Sequence, residues 1–233
     1  MQKSRCVGIV GGLGVGATVH YYEQLGKGCE QRGFTLDLLI TNAHTPRVFE
    51  YVAAEDRAGL AEYLNGYICR MQAAGAEIAV IPAVTPHYCI DELAGMSPLP
   101  IVSIFNPLER ELVRRVIRRV AIFGTRFVIE SDFFGALGGI EIVRPRPEEI
   151  ELIRTTYVDL AAAGKGTVEQ SEKLTAVAKT LVKRDEVNAI ILAGTDLTLL
   201  FDEATAPFPC VDCAALHIQE ILKELTRTTN SPE

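Results

Sequence analysis

Short, continuously apolar runs alternate along this chain with longer stretches of helical periodicity, and no other feature limits the fold so tightly. Cys6–Val10, Leu36–Thr41, Glu77–Pro82, Ile101–Ile104, Val120–Phe123, Ile140–Val143, Ala189–Ala193 and Cys210–Asp212 read as strands. Several lack polar alternation, as expected of parallel strands covered on both faces. Between them Leu60, Leu64, Tyr67, Ile68 and Met71 form an amphipathic helical stripe, and 148–163 and 169–183 also read as helices. The expectation is an α/β fold with mainly parallel sheets flanked by helices. At 233 residues the chain is long enough for one large domain or two small ones.

The pattern repeats itself. "VGIVGGLG" and "VAIFGTRF" are both apolar strands that end in glycine before a helix, and "IAVIPAVTPH" and "AIILAGTDL" form a second such pair. Two similar halves facing one another would gather four strand ends around a shared cleft, where open α/β sheets bind ligands.

Charge and cysteine usage narrow the functional classes. A formal net charge of −7 argues against a nucleic-acid partner, which requires clustered Lys and Arg. The run Arg114, Arg115, Arg118 and Arg119 is expected on a helix shared with Glu109 and Glu111, as a solvated face. No apolar stretch approaches the ~20 residues that span a bilayer, and the N-terminus lacks signal-peptide architecture. The six cysteines have no regular framework spacing, and the Cys210/Cys213 pair has no second half to complete a zinc site. Reduced thiols in a cytoplasmic protein, without a membrane partner, are the expectation.

The segment "IVGGLGVGAT" brings backbone close to something. Gly12 to Ala17 formally fits G-x-G-x-x-A, but the second strand ends Ile40-Thr41-Asn42 without the carboxylate that holds a ribose, and no P-loop lysine follows. What remains is a turn and helix N-terminus suited to a small anion such as a carboxylate.

Six segments in order resemble the aspartate/glutamate racemase family: "GIVGGLGVGAT", Thr41-Asn42, "GAEIAVIPAVTPHYCIDEL", "VAIFGTRFVIESDFF", "AIILAGTDLTLL" and "CVDCAALHIQEIL". The resemblance implies two pseudo-symmetric α/β lobes, 1–100 plus 209–233 and 101–208, with the active site between them. It implies a small amino acid or dicarboxylate as ligand, no metal, no pyridoxal phosphate or other cofactor, and often a homodimer.

Such racemases place one cysteine on each side of the substrate α-carbon, because inversion needs a base on one face and an acid on the other, and thiols titrate close enough to neutrality for both roles. The family's Cys-Asn-Thr stands here as Ala83-Val84-Thr85, and its Gly-Cys-Thr as Ala193-Gly194-Thr195. Both thiol positions, Ala83 and Gly194, are vacant, and glycine at 194 is expected to enlarge the pocket. By resemblance, Gly12, Thr18, Asn42, Thr85, Gly124, Thr125 and Thr195 supply amide and hydroxyl donors. Arg47 and Lys165 align with basic residues that neutralise substrate carboxylates, although Lys165 reads equally well as an ordinary inter-helix turn lysine. His87, Asp196 and His217 are the candidate replacement acids and bases, with orienting or capping roles as the alternative for the histidines. Cys213 reads as packing, Cys89 should face another way, His20 and His44 are weaker candidates, and no G-x-S-x-G nucleophile motif occurs. The expected protein keeps a racemase scaffold with altered, isomerase-like chemistry; a non-catalytic acid sensor and a lyase on the same scaffold are the alternatives.

Overall fold

The computed structural model describes residues 2–227. The strands are β1 (Gln2–Gly11), β2 (Phe34–Asn42), β3 (Ile78–Val80), β4 (Ile101–Val102), β5 (Arg119–Phe123), β6 (Glu141–Ile142), β7 (Ala189–Leu192) and β8 (Cys210–Asp212). The helices are α1 (Val15–Gln31), α2 (Thr45–Ala53), α3 (Arg57–Ala73), α4 (Ile90–Met96), α5 (Phe105–Arg114), α6 (Arg126–Glu130), α7 (Pro147–Ala163), α8 (Val168–Arg184) and α9 (Cys213–Leu225). Every expected strand is present. They form two four-stranded sheets of parallel pairs, ordered β2-β1-β3-β4 and β6-β5-β7-β8. The second order is the first shifted by four strands, so the internal repeat seen in the sequence is a repeat of topology.

Side-chain alternation along the buried half of β1 feeds two cores, one on each face of the first sheet. Val7 and Ile9 pack with Tyr21 and Leu25 of α1 and with Ile218, Ile221 and Leu222 of α9. Cys6 and Val10 face the other way, onto Leu60, Leu64, Ile68 and Met71 of α3. The expected stripe is therefore the buried face of that helix, each such side chain contributing about 1.5–3 kcal/mol of burial. Gly8 lets α3 approach, since a Cβ there would stand 2.9 Å from Met71 Sδ. The second sheet has its own core, in which Val120, Ile122, Ile190 and Val211 pack with Leu108, Ile153, Leu160 and Leu181.

Two expectations about organisation are corrected by the strand pairing. Ile101–Val102 was assigned by the 100/101 boundary to the second lobe, yet β4 hydrogen-bonds to β3 in the first sheet. Residues from 209 were assigned to the first lobe, yet β8 pairs with β7 in the second. The crossings lie one element later. Helix α5 buries Leu108 and Leu112 in the second core, and α9 buries Ile218 and Ile221 in the first. Each sheet completes its fourth strand before the chain leaves it. The arginine run is also not helical throughout: α5 ends at Arg114, Val116 takes a positive φ of 57° in the turn, and Arg119 opens β5. The reading as a solvated, acid-paired surface stands, with Arg114 and Arg115 on Glu111 at 2.7 and 2.6 Å and Arg119 on Glu141. Among the described residues no helix is long and apolar enough to cross a membrane.

Candidate functional site

The carboxyl ends of β1, β3, β5 and β7 converge on a cavity of about 540 Å³ between the sheets. From the first half come Gly12 to Val15, Thr45, Val48 and Phe49, and Ala83 to Pro86; from the second come Thr125, Tyr157, Val158, Ala161 to Gly164, Ala193, Thr195 and Asp196. Two 3₁₀ turns, Thr85–Cys89 after β3 and Thr195–Leu199 after β7, occupy equivalent places in the two halves. Pro86 has no N–H and the His87 amide donates to the Val84 carbonyl at 2.9 Å, so the first turn offers a ligand the Thr85 amide. In the second the Leu197 amide donates to the Gly194 carbonyl at 2.8 Å, and the Thr195 amide is the corresponding donor. The Thr85 and Thr125 hydroxyls share one hydrogen bond of 3.1 Å, which leaves one hydroxyl hydrogen for an outside acceptor. Thr195 instead donates across the halves to the Pro82 carbonyl at 3.0 Å.

The glycine loop holds an internal carboxylate. Gly12 and Gly14 have φ of 80° and 139°, and the N-cap of α1 is Gly14, which has no side chain to cap with. Asp196 supplies the missing acceptor from the other half, its Oδ1 receiving the Ala17 N–H at 2.9 Å. A Cβ at Gly14 would stand 2.6 Å from Oδ2, so the loop is shaped around this group. The expected anion cradle is thus filled by the protein itself, with the favourable charge–dipole geometry of a helix N-terminus. Burial raises the Asp196 pKa, while the Ala17 amide and the Tyr157 hydroxyl, 3.4 Å from Oδ2, pull it down.

The vacancy at Gly194 is not empty space. A Cβ there would overlap the Tyr157 ring, lying only 2.7 Å from Cζ. The expectation that glycine enlarges the pocket is corrected: Tyr157, from α7, fills the volume that a side chain at 194 would take. Ala83 does face the cavity.

The two histidines are placed elsewhere. His87 donates from Nδ1 to the Ala83 carbonyl at 2.8 Å and accepts the Ile104 amide at Nε2. His217 donates from Nε2 to the Val102 carbonyl at 2.8 Å and accepts the Tyr21 hydroxyl at Nδ1. Both are buried, neither lines the cavity, and burial lowers their pKa values to about 4 and about 3. Both ring nitrogens of each histidine are occupied by the framework, so the fold does not bring to the cavity the two imidazoles that the sequence offered as replacement bases. His20 and His44 do not line the cavity either.

Most of the remaining donors also stand outside it. Thr18 braces the glycine loop, accepting the Gly12 amide at 3.2 Å and donating to the Gly14 carbonyl at 2.9 Å. Asn42 is exposed at the end of β2, and Gly124 is packed against the backbone of Gly194, 3.2 Å from its Cβ direction. Arg47 points outward, paired with Glu50 at 3.0 Å and stacked over Tyr51, and Lys165 is exposed beside rim residue Gly164. Among the described residues the lining contains no Lys, Arg, His or Cys. Cys89 and Cys213 are buried, their thiols pushed up by desolvation, to about 12 for Cys89. Gly12, Ala83, Thr85, Thr125, Thr195 and Asp196 are the expected residues that the fold does bring together.

Sequence reasoning missed Tyr157, Phe49 and Val48. Tyr157 shares the buried face of α7 with Ile150, Ile153 and Leu160, so its spacing reads as core. Its only sequence signal is indirect, a glycine where a larger side chain is expected and hence room for a large partner.

A sequence model described as Asp/Glu/Hydantoin racemase matches residues 10–221. Among solved structures, a candidate Asp/Glu racemase from Yersinia pestis superposes with a TM-score of 0.80 at 21% identity, covering 96% of this chain and 100% of that one. An aspartate racemase homologue from Pyrococcus horikoshii gives 0.79 at 23% identity, covering 97% and 100%. Glutamate racemase from Francisella tularensis, in complex with D-glutamate, gives 0.64 at 15% identity, covering 98% and 86%.

Proposed function

The chain belongs to the Asp/Glu/Hydantoin racemase family, and from that premise we propose that it binds a small amino acid or monocarboxylic acid between its two halves without inverting it. The observation that carries this reading is the lining of the 540 Å³ cavity: hydroxyls, turn amides and one internally bonded carboxylate, with no thiol or imidazole on either wall. Inversion through a planar carbanion requires a proton carrier on each face of the α-carbon. Here the second-half wall offers Tyr157 and Asp196, and the first-half wall offers no side chain more acidic than the Thr45 and Thr85 hydroxyls. By its resemblance to the family motifs, Ala83 and Gly194 stand where the two thiols would be, so any chemistry in this cleft is one-sided and altered from that of the two-thiol enzymes.

The dicarboxylate half of the expectation loses support, because neither Arg47 nor Lys165 lines the cavity and a second carboxylate would meet no cation there. A single acid head fits the free Thr85/Thr125 hydroxyl hydrogen and the Thr85 and Thr195 amides. Thermal unfolding with and without D- and L-alanine, valine, aspartate and glutamate tests the reading, since a ligand that binds only the folded state raises the midpoint. Stabilisation by the monoacids, lost in Ala83→Leu, is expected. Absence of any shift across the panel at millimolar ligand would refute it.

A further inference from the structure

We propose that the ligand of this cleft carries a bulky apolar body, aryl or branched alkyl, on its acid head; this rests on the reading of the cavity as an acid-binding site. The cavity has two ends of different chemistry. Its floor, at the strand ends, holds the Thr85, Thr125 and Thr195 hydroxyls. Its outer part is walled by Phe49 of α2, with buried Val48 behind it, and by Val158, Ala161 and Ala162 of α7.

Size points the same way. About 540 Å³ lies within the range of sites that enclose drug-sized molecules, well beyond the needs of aspartate or alanine. The space is created by the alanine run at the end of α7, opposite the aromatic ring of Phe49. Tyr157 closes the inner end by occupying the Gly194 side, so added ligand volume can only extend outward between α2 and α7.

The mouth supplies an independent observation. Val15, Phe49 and Val158 are 65%, 44% and 47% exposed, although they are large apolar side chains, and all three line this one cavity. They come from three different helices, α1, α2 and α7. Scattered exposed apolar residues need no explanation, but a group gathered at the rim of a cavity marks a surface that a ligand covers. The arrangement suits an acid whose head reaches the hydroxyl floor while its ring lies against Phe49 and the α7 alanines.

Titration calorimetry of the intact protein with acetate, butyrate, phenylacetate and 3-phenylpropionate tests this directly. Each added buried methylene is expected to tighten binding about 4-fold, and the phenyl acids to bind at least about 30-fold more tightly than acetate. Ala161→Phe, at a half-exposed helix position, should abolish the phenyl advantage. Phenyl acids that bind no more tightly than acetate would overturn the proposal and leave the small-acid reading standing. A phenyl advantage unchanged in Ala161→Phe would overturn the placement of the ring. If no acid binds at all, both the proposal and the acid-binding reading fall.

Discussion

Gly194→Ala isolates the relation between the vacant position and Tyr157. Gly194 has φ −87° and ψ 110°, an extended conformation that alanine adopts freely. On backbone grounds alone the substitution should stabilise by about 0.4–1 kcal/mol, because alanine restricts the unfolded chain. Against this, the new methyl would overlap the Tyr157 ring, with Cζ at 2.7 Å and Cδ2 at 2.8 Å, and overpacking of this kind costs about 1–3 kcal/mol. The ring cannot simply swing away, since Tyr157 is buried among the second-half core side chains. The net expectation is destabilisation by about 1–2 kcal/mol, a fall in Tm of about 2–4 °C per kcal/mol for a chain of this size. In a Tyr157→Ala background, itself costing about 3–5 kcal/mol, the sign should reverse and Gly194→Ala should stabilise by about 0.5 kcal/mol. Urea unfolding of the four proteins yields a coupling of about 2 kcal/mol. Additivity within about 0.5 kcal/mol, or a neutral Gly194→Ala in the parent, would refute the argument that the ring has replaced the side chain. The same overlap predicts that cysteines reinstated at 83 and 194 will not restore a racemase unless Tyr157 is also reduced in size.

Asp196→Ala should destabilise by about 1–3 kcal/mol by orphaning the Ala17 amide, whereas Asp196→Asn, which keeps an acceptor, should retain most of the stability; equal losses in urea unfolding would contradict this. His87 and His217, with pKa values lowered to about 4 and about 3, bind protons less tightly folded than unfolded. Their contribution is therefore full above about pH 6.5 and is lost as pH falls toward those values; an imidazole NMR titration with a midpoint near 6.5 in the folded state would count against their burial as neutral framework groups. Asp212 caps α9 through the Ala214 and Ala215 amides, yet burial raises its pKa to about 6. It binds its proton more tightly folded, so its favourable contribution is present below about pH 3.8 and lost as pH rises through about 6. Asp212→Asn, which preserves the cap, should flatten that part of the stability–pH curve, and an unchanged slope would exclude Asp212 as its source.

Fold was legible because it follows from local periodicity. The apolar runs that became β1 to β8 and the α3 stripe are patterns within single segments, and the repeat was visible because equivalent strands end in similar residues. The lobe boundaries were misread because a strand's sheet is decided by its partner, and β4 and β8 are too short to declare one. The site was legible only where chain continuity carries a residue to the cleft, as with Thr85 and Thr195 immediately after β3 and β7. Asp196 was identified as a site residue, but its bond to Ala17 joins positions 179 residues apart and leaves no local trace. Tyr157 was hidden for the opposite reason, because its helical spacing made a cavity wall look like ordinary core. That His87 and His217 stand outside the cavity was hidden because imidazole suits proton transfer and buried bracing equally, and their hydrogen bonds to the framework join distant segments.

Deuterium incorporation decides most directly whether this family member has left stereoinversion behind. With the protein incubated in D₂O with each enantiomer of an amino acid that stabilises it, proton NMR and chiral chromatography should show the ligand bound and its configuration unchanged, with no α-deuterated opposite enantiomer. Appearance of that enantiomer carrying α-deuterium, at rates above the protein-free control, would contradict the account, since it would require proton carriers on both faces of a cleft lined by neither thiol nor imidazole.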